Sequence, residues 1–241
     1  MSEYPLSPET KELLRTVSVA TLATALYKRG LRNQVIQDVH PLTRKGQNMV
    51  GPAFTLRYMP AREDRNQLVE FRNPKHPQRY AIETCPPDHV MVMDSRKCAY
   101  AASAGDILIT RLMMRGAAGV VTDGGFRDAM NIGELEMPAY HNRPSSPTNL
   151  TTNEAIDINV PIGCGDAPVF PGDILVGDDD SVIVIPAYLA DEVAIEAVEM
   201  TAFEDFALSK VQAGAPIIGL YPATKEENLK EFEEWRAKHG R

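Results

Sequence analysis

The chain has 241 residues, 44% of them apolar and 24% charged, and a formal net charge of −8. That length can bury one sizeable core, and the acidic balance argues against the global positive field of a nucleic-acid binder. No apolar run approaches the ~20 residues of a membrane-spanning helix.

The N-terminal Met1-Ser2-Glu3-Tyr4-Pro5 has neither the basic nor the apolar region of a signal peptide. Cys85, Cys98 and Cys164 form no CxxC pair, so reduced thiols in a cytoplasmic protein are expected. In chain order, residues 7–30 read as one helix. Ser7 is its cap, and Leu13, Leu14, Val17 and Ala20 through Leu26 form its apolar face before Gly30. Gly51–Tyr58 reads as a strand. The charged, proline-bearing stretch from Pro60 to Gln78 reads as a surface excursion, of the kind that can cover a site.

Two strand entries echo each other, Pro87-Asp88 leading to Val90–Asp94 and Pro171-Gly172-Asp173 leading to Ile174–Asp178. The second continues through Asp179-Asp180-Ser181 into Val182–Ile185, which predicts a hairpin with a tight acidic turn. Residues 187–212 read as a long amphipathic helix and 224–239 as a charged terminal helix capped by Thr224. Strands and helices alternate through the centre, so the class is α/β or α+β, with no composition shift to mark a second domain.

The central segment carries the chemistry. Gly105-Asp106 opens an apolar helical run (Ile107, Leu108, Leu112, Met113) that ends near Arg115-Gly116. A buried strand, Ala118–Thr122, follows and is broken by Asp123-Gly124-Gly125 before Phe126-Arg127-Asp128. An acid at a helix start ordinarily just complements the macrodipole, worth ~0.3–1 kcal/mol. Gly105, however, lets backbone approach a ligand, and the Ile107 and Leu108 amides behind it can face a carboxylate or phosphate. Arg127-Asp128 can be an ordinary surface ion pair. Equally, the guanidinium fork matches a carboxylate or enolate oxygen, and the carboxylate suits a hard, largely hydrated divalent cation.

Gly163-Cys164-Gly165-Asp166 has no neighbouring histidine, and a structural thiol is the simpler reading. The sequence contains no GxSxG, Walker A loop, GxGxxG after a strand, HxH or HExxH. No lysine lies between Lys97 and Lys210, which argues against a Schiff base centred there.

Asp106, twenty intervening residues and then Arg127-Asp128 resembles the D-x20-R-D signature of the 4-hydroxy-4-methyl-2-oxoglutarate aldolase family. That family also includes the proteins called regulator of ribonuclease activity A. The likeness runs from about residue 16 to 200, including Pro171-Gly172-Asp173 and Gly177-Asp178. The resemblance implies an α/β fold of αββα sandwich type in a single domain spanning 1–241, with a C-terminal helical extension over about 201–241. It implies homotrimers or homohexamers with sites at subunit interfaces.

It also implies a metal-dependent pyruvate aldolase, a lyase using Mg2+, Mn2+ or another divalent metal. Asp128 would anchor the metal, Arg127 would bind the pyruvyl group and stabilise its enolate, and Asp106 would orient a water. Gly105 and the Ile107 and Leu108 amides would hold the substrate carboxylate. Oxaloacetate decarboxylation would follow the same electron flow. The implied partner is a small 2-oxo acid, with neither nucleic acid nor membrane. The same likeness leaves two other functions open: a regulator that binds a ribonuclease or helicase, and a sugar-acid dehydratase or lyase. Where many members carry a Ser/Thr-Asp pair, this chain has Ala23-Thr24. Arg57, Arg62 and Arg65 are the candidates for a second acidic or hydroxylated end of the substrate.

Overall fold

The computed structural model describes residues 5–43 and 48–241; most of the N-terminal stretch read for a leader lies outside them. The helix expected over 7–30 is two helices, α1 (Pro8–Arg15) and α2 (Val19–Lys28). Ser7 caps the first as expected, accepting the Thr10 amide at 3.0 Å. The break falls at Thr16-Val17-Ser18 because a second cap acts there. Ser18 accepts the Thr21 amide at 3.1 Å, and the distant Asp178 carboxylate takes the Val19 amide at 2.8 Å.

The strands along the chain are β1 (Val35–Ile36), β2 (His40–Pro41), β3 (Met49–Pro60), β4 (Val90–Asp94) and β5 (Ala102–Ala104). They continue with β6 (Gly119–Thr122), β7 (Gly125–Phe126), β8 (Ala139–His141), β9 (Arg143–Pro144) and β10 (Asn153–Ile158). Last come β11 (Ile162–Cys164), β12 (Ala167–Val169), β13 (Ile174–Gly177) and β14 (Val182–Ile185). The remaining helices are α3 (Pro77–Thr84), α4 (Asp106–Met114), α5 (Ala129–Gly133), α6 (Ala190–Gln212) and α7 (Glu226–His239).

The long strand β3 joins two half-sheets. On one side β3, β4, β6 and β8 run parallel, each crossover carrying α3, α4 or α5. On the other, β13, β14 and β1 continue antiparallel from the beginning of β3, while β10 pairs antiparallel with its end. The expected hairpin is β13–β14, and Asp178 closes its turn by accepting the Asp180 and Ser181 amides at 2.9 and 3.0 Å.

Alternation along the strands separates the layers. Met91, Met93 and Val120 pack with Ile82, Ile109, Leu112 and Ile132 of the crossover helices. Their neighbours Val90, Val92 and Val121 face inward to meet Leu175, Val182 and Val184. Ile174, Val176, Ile183 and Ile185 then face α1, α2 and the first half of α6. Helix, sheet, sheet, helix is the αββα sandwich.

Residues 187–189 of the long C-terminal helix are a 3-10 turn before α6. The second half of α6 packs with α7 in a separate aromatic cluster of Phe206, Phe232, Phe203 and Trp235. Thr224 does not cap α7. Lys225 stands at the cap position with no side-chain bond, and the Thr224 amide is turned back to Gly219 O at 3.1 Å.

One buried carboxylate ties the C-terminal ends of the central strands together. Asp123, 1% exposed, accepts the amides of Ser95 (2.7 Å), Lys97 (3.1 Å) and Gly165 (3.2 Å). Burial nonetheless pushes its carboxyl from an ordinary 3.8 up to about 6. The folded state therefore holds a proton that the unfolded chain has released between those values. Stability from this proton is full below about pH 3.8 and is lost as the pH rises through about 6. Asp123→Ala strands three amides and is expected to cost about 3 kcal/mol or more in urea denaturation. Asp123→Asn keeps an acceptor, and its stability is expected to change less than the wild type's between pH 4 and pH 7. Equal pH dependence in the two proteins would contradict this account.

Candidate active site

The candidate site is assembled where two short parallel strands end. β5 and β7 pair with Ala104 opposite Phe126, and the Arg127 amide donates to Ala104 O at 3.1 Å. Gly105-Asp106 and Arg127-Asp128 therefore leave the sheet side by side. The twenty residues between Asp106 and Arg127 are the rest of α4, the loop 115–118, the strand β6, the turn at Asp123-Gly124 and the strand β7 itself. Loops at the carboxyl ends of parallel strands are where α/β proteins place ligands.

Gly105 caps α4 in extended conformation. A Cβ there would lie 2.8 Å from Arg127 Cγ and 3.1 Å from Asp128 Oδ2, so only glycine lets the two segments close up. Asp128 is left-handed (φ 56°, ψ 36°) at the head of α5, a conformation that Asp tolerates better than most residues. Its Oδ2 meets Arg127 Nε at 3.2 Å, and both side chains are about half exposed. Asp106 accepts the Asn131 amide nitrogen on Oδ2 at 2.8 Å and its neighbour Ile107's amide on Oδ1 at 2.8 Å. The Leu108 amide points to Gly105 O at 3.1 Å. The two amides expected to hold an anion thus have intramolecular partners in this state.

Gly105, Asp106, Ile107, Leu108, Arg127 and Asp128 all line one cleft of about 470 Å3. The rest of its lining includes Leu68, Phe71 and Gln78 from the excursion and Arg79 just after it. Those residues carried no motif. Their only sequence signal was the length and polarity of the segment that leads to them. The Arg79 guanidinium lies 3.7 Å from the centroid of the Phe71 ring, and burial pulls it below its ordinary pKa. Gln78 and Asn149, each 2% exposed, underlie it, and Tyr58 donates to Ser103 O at 3.0 Å.

Arg57, Arg62 and Arg65 are not among the cleft's lining residues. Arg57 pairs with Asp157 and Arg62 with Asp64. Ala23 and Thr24 line a different hollow with Tyr27 and Arg32. Another cleft of about 310 Å3 adjoins Asp178–Asp180, but Asp178 there is engaged in capping α2 and the hairpin turn. Cys164 is fully buried and its thiol is pushed well up by burial, in keeping with a structural role.

No group of three or more His, Cys, Asp or Glu residues converges among the described residues. A closed zinc or calcium cage is therefore not formed by them. Asp128 offers a half-exposed carboxylate with Arg127 as its neighbour. An oxygen donor of low ligand count suits Mg2+ or Mn2+ that keeps most of its waters.

The sequence and the fold have known relatives. The RraA-like (aldolase/RraA) family model matches residues 19–184. A protein of Halalkalibacterium halodurans named "Putative 4-hydroxy-4-methyl-2-oxoglutarate aldolase" is 33% identical over 172 residues, 71% of this chain and 74% of that protein. The crystal structure of Streptomyces coelicolor RraAS2, described as an unusual member of the RNase ES inhibitor RraA protein family, is 29% identical with a TM-score of 0.75. That match covers 86% of this chain and 98% of the other. An uncharacterized Pseudomonas syringae protein shares the fold at 21% identity, with a TM-score of 0.75 and 90% and 98% coverage. The chain belongs to the RraA-like aldolase/RraA family.

Proposed function

We propose that this protein is a divalent-metal-dependent lyase that cleaves 4-hydroxy-2-oxo acids to pyruvate and a carbonyl compound, with oxaloacetate decarboxylation as a side activity. The observation that carries the reading is the convergence of Asp106, Arg127, Asp128 and the start of α4 on one cleft. Asp128 would hold the metal, which supplies Lewis-acid polarisation of the 2-oxo acid when bound. Arg127 binds the pyruvyl oxygens and stabilises negative charge as it develops on the C2 oxygen. A water oriented by Asp106 takes the C4 hydroxyl proton, the new carbonyl forms at C4, the C3–C4 bond breaks, and its electron pair passes through the enolate to the C2 oxygen. Asp106 orients the water that returns a proton to C3. In oxaloacetate the same electron flow releases carbon dioxide.

The enzyme would work in the cytoplasm, a reading that its free, buried Cys85, Cys98 and Cys164 support. The family resemblance supports a homotrimer or homohexamer. The relation to RraAS2 favours a second reading, a regulator that binds a ribonuclease. Specific capture of a ribonuclease by a protein that releases no pyruvate would establish it in place of the lyase.

Purified protein is expected to release pyruvate from oxaloacetate and 4-hydroxy-2-oxo acids with Mg2+ and to stop on chelation. Arg127→Ala should lower kcat about 10²–10³-fold. Metal-independent turnover, or full activity of that variant, would sink the mechanism. Gly105→Ala should push Arg127 aside and reduce kcat/KM roughly tenfold or more, while Tm moves by only a few degrees. Wild-type kinetics in a folded Gly105→Ala protein would show that the close approach has no catalytic role.

A further inference from the structure

Helix α3, which follows the excursion, supplies a second cation to the cleft. Arg79 stands in the first turn of α3, half-buried, with its guanidinium stacked on Phe71 at 3.7 Å. Its Nη1 donates to Gln78 Oε1 at 3.1 Å. Gln78 is in turn held from its nitrogen end by Ser103 O and by Asn149 Oδ1. A ring beneath and an anchored acceptor at one edge fix the plane of the guanidinium.

Its charge has no carboxylate counterpart among the described residues. Arg57 and Arg62, by contrast, are occupied by Asp157 and Asp64. A half-buried, oriented and unpaired fork in a cleft of about 470 Å3 is suited to a planar anion delivered by a ligand. Gly105–Leu108 and Arg127 line the same cleft, so one small molecule can engage both ends.

We propose that Arg79 is the specificity-determining residue for the fragment that departs from pyruvate: it receives the distal carboxylate of a dicarboxylic 2-oxo acid whose pyruvyl end lies against Gly105–Leu108 and Arg127. The orientation of the ligand rests on the lyase reading, but the charge recognition is measurable without turnover. Phe71 and Gln78 are positioning residues for it.

The test uses two non-cleavable acids of equal chain length, 2-oxoglutarate and 2-oxopentanoate, which differ in the terminal carboxylate. Calorimetric titration in Mg2+ should show the wild type preferring 2-oxoglutarate at least about tenfold. Arg79→Met should bring the two affinities within about twofold of each other, and Arg79→Lys should keep part of the preference, since it retains charge without the fork. Circular dichroism checks the fold, and Phe71→Leu, which removes only the platform, should also weaken the preference. Equal binding in the wild type, preference retained in Arg79→Met, or no binding of either acid would overturn the assignment. Pyruvate release separates the two readings. An Arg79-dependent preference without turnover of any 4-hydroxy-2-oxo acid defeats the lyase alone, whereas turnover without the preference defeats the Arg79 assignment alone.

Discussion

The pairing of β5 with β7 is the constraint on which the site depends. With Ala104 opposite Phe126, the two segments that leave these strands must emerge together, whatever lies between them in sequence. Parallel strands need a crossover, and α4 plus β6 provides one that is packed through Ile109, Leu112 and Val120 into the apolar layer beneath. The spacing in the D-x20-R-D signature is therefore a packing length. Adding or removing a residue inside it would rotate Asp106 on its helix or slip β7 in register and carry Arg127 away from Gly105.

Asp123 secures this arrangement from behind. It precedes Gly124 and collects amides from the loop after β4 and from the β11–β12 turn. Beside it, Ser95, Ser103 and Thr122 exchange buried hydroxyl bonds, Ser95 to Ser103 and Ser103 to Thr122 both at 2.7 Å. A Cβ on Gly124 would come within 2.6 Å of Ser103 Oγ, so the polar cluster leaves no room for a side chain. Apolar residues in these positions would leave the loop amides without acceptors, which makes the polar core the means of holding loops to one geometry.

This division explains what could be read from sequence. The α/β class is legible in the succession of strand and helix patterns, whereas the αββα layering and the roles expected of Asp106, Arg127 and Asp128 come from the likeness to the D-x20-R-D family. Strands such as Ile174–Gly177 and Val182–Ile185 are buried on both faces, so their sequence does not say which side meets which layer. The break between α1 and α2 was not legible, because the Asp178 carboxylate that stabilises the second start is 159 residues away. Arg79 escaped for the same reason. Its significance comes from Phe71, Gln78 and a cleft built by distant strands, while Arg57, with a similar sequence context, is neutralised by Asp157 across the β3–β10 pair. Long-range partners decide the fate of isolated arginines and helix starts, and a linear pattern does not contain them.

The start of α4 limits how the proposed lyase could receive a substrate carboxylate. The Ile107 amide is satisfied by the Asp106 carboxylate, so the helix already carries its own anion. A substrate carboxylate placed on that amide has to displace Asp106 Oδ1, because two carboxylates cannot share one donor without strong repulsion. Asn131 holds the other oxygen at 2.8 Å and restricts where Asp106 can go. In the proposed lyase the displaced oxygen would stay in the cleft as an acceptor for water. Anion binding at the helix start and the freeing of Asp106 to handle a proton would then be one event, with the Asp106 side chain as its moving part.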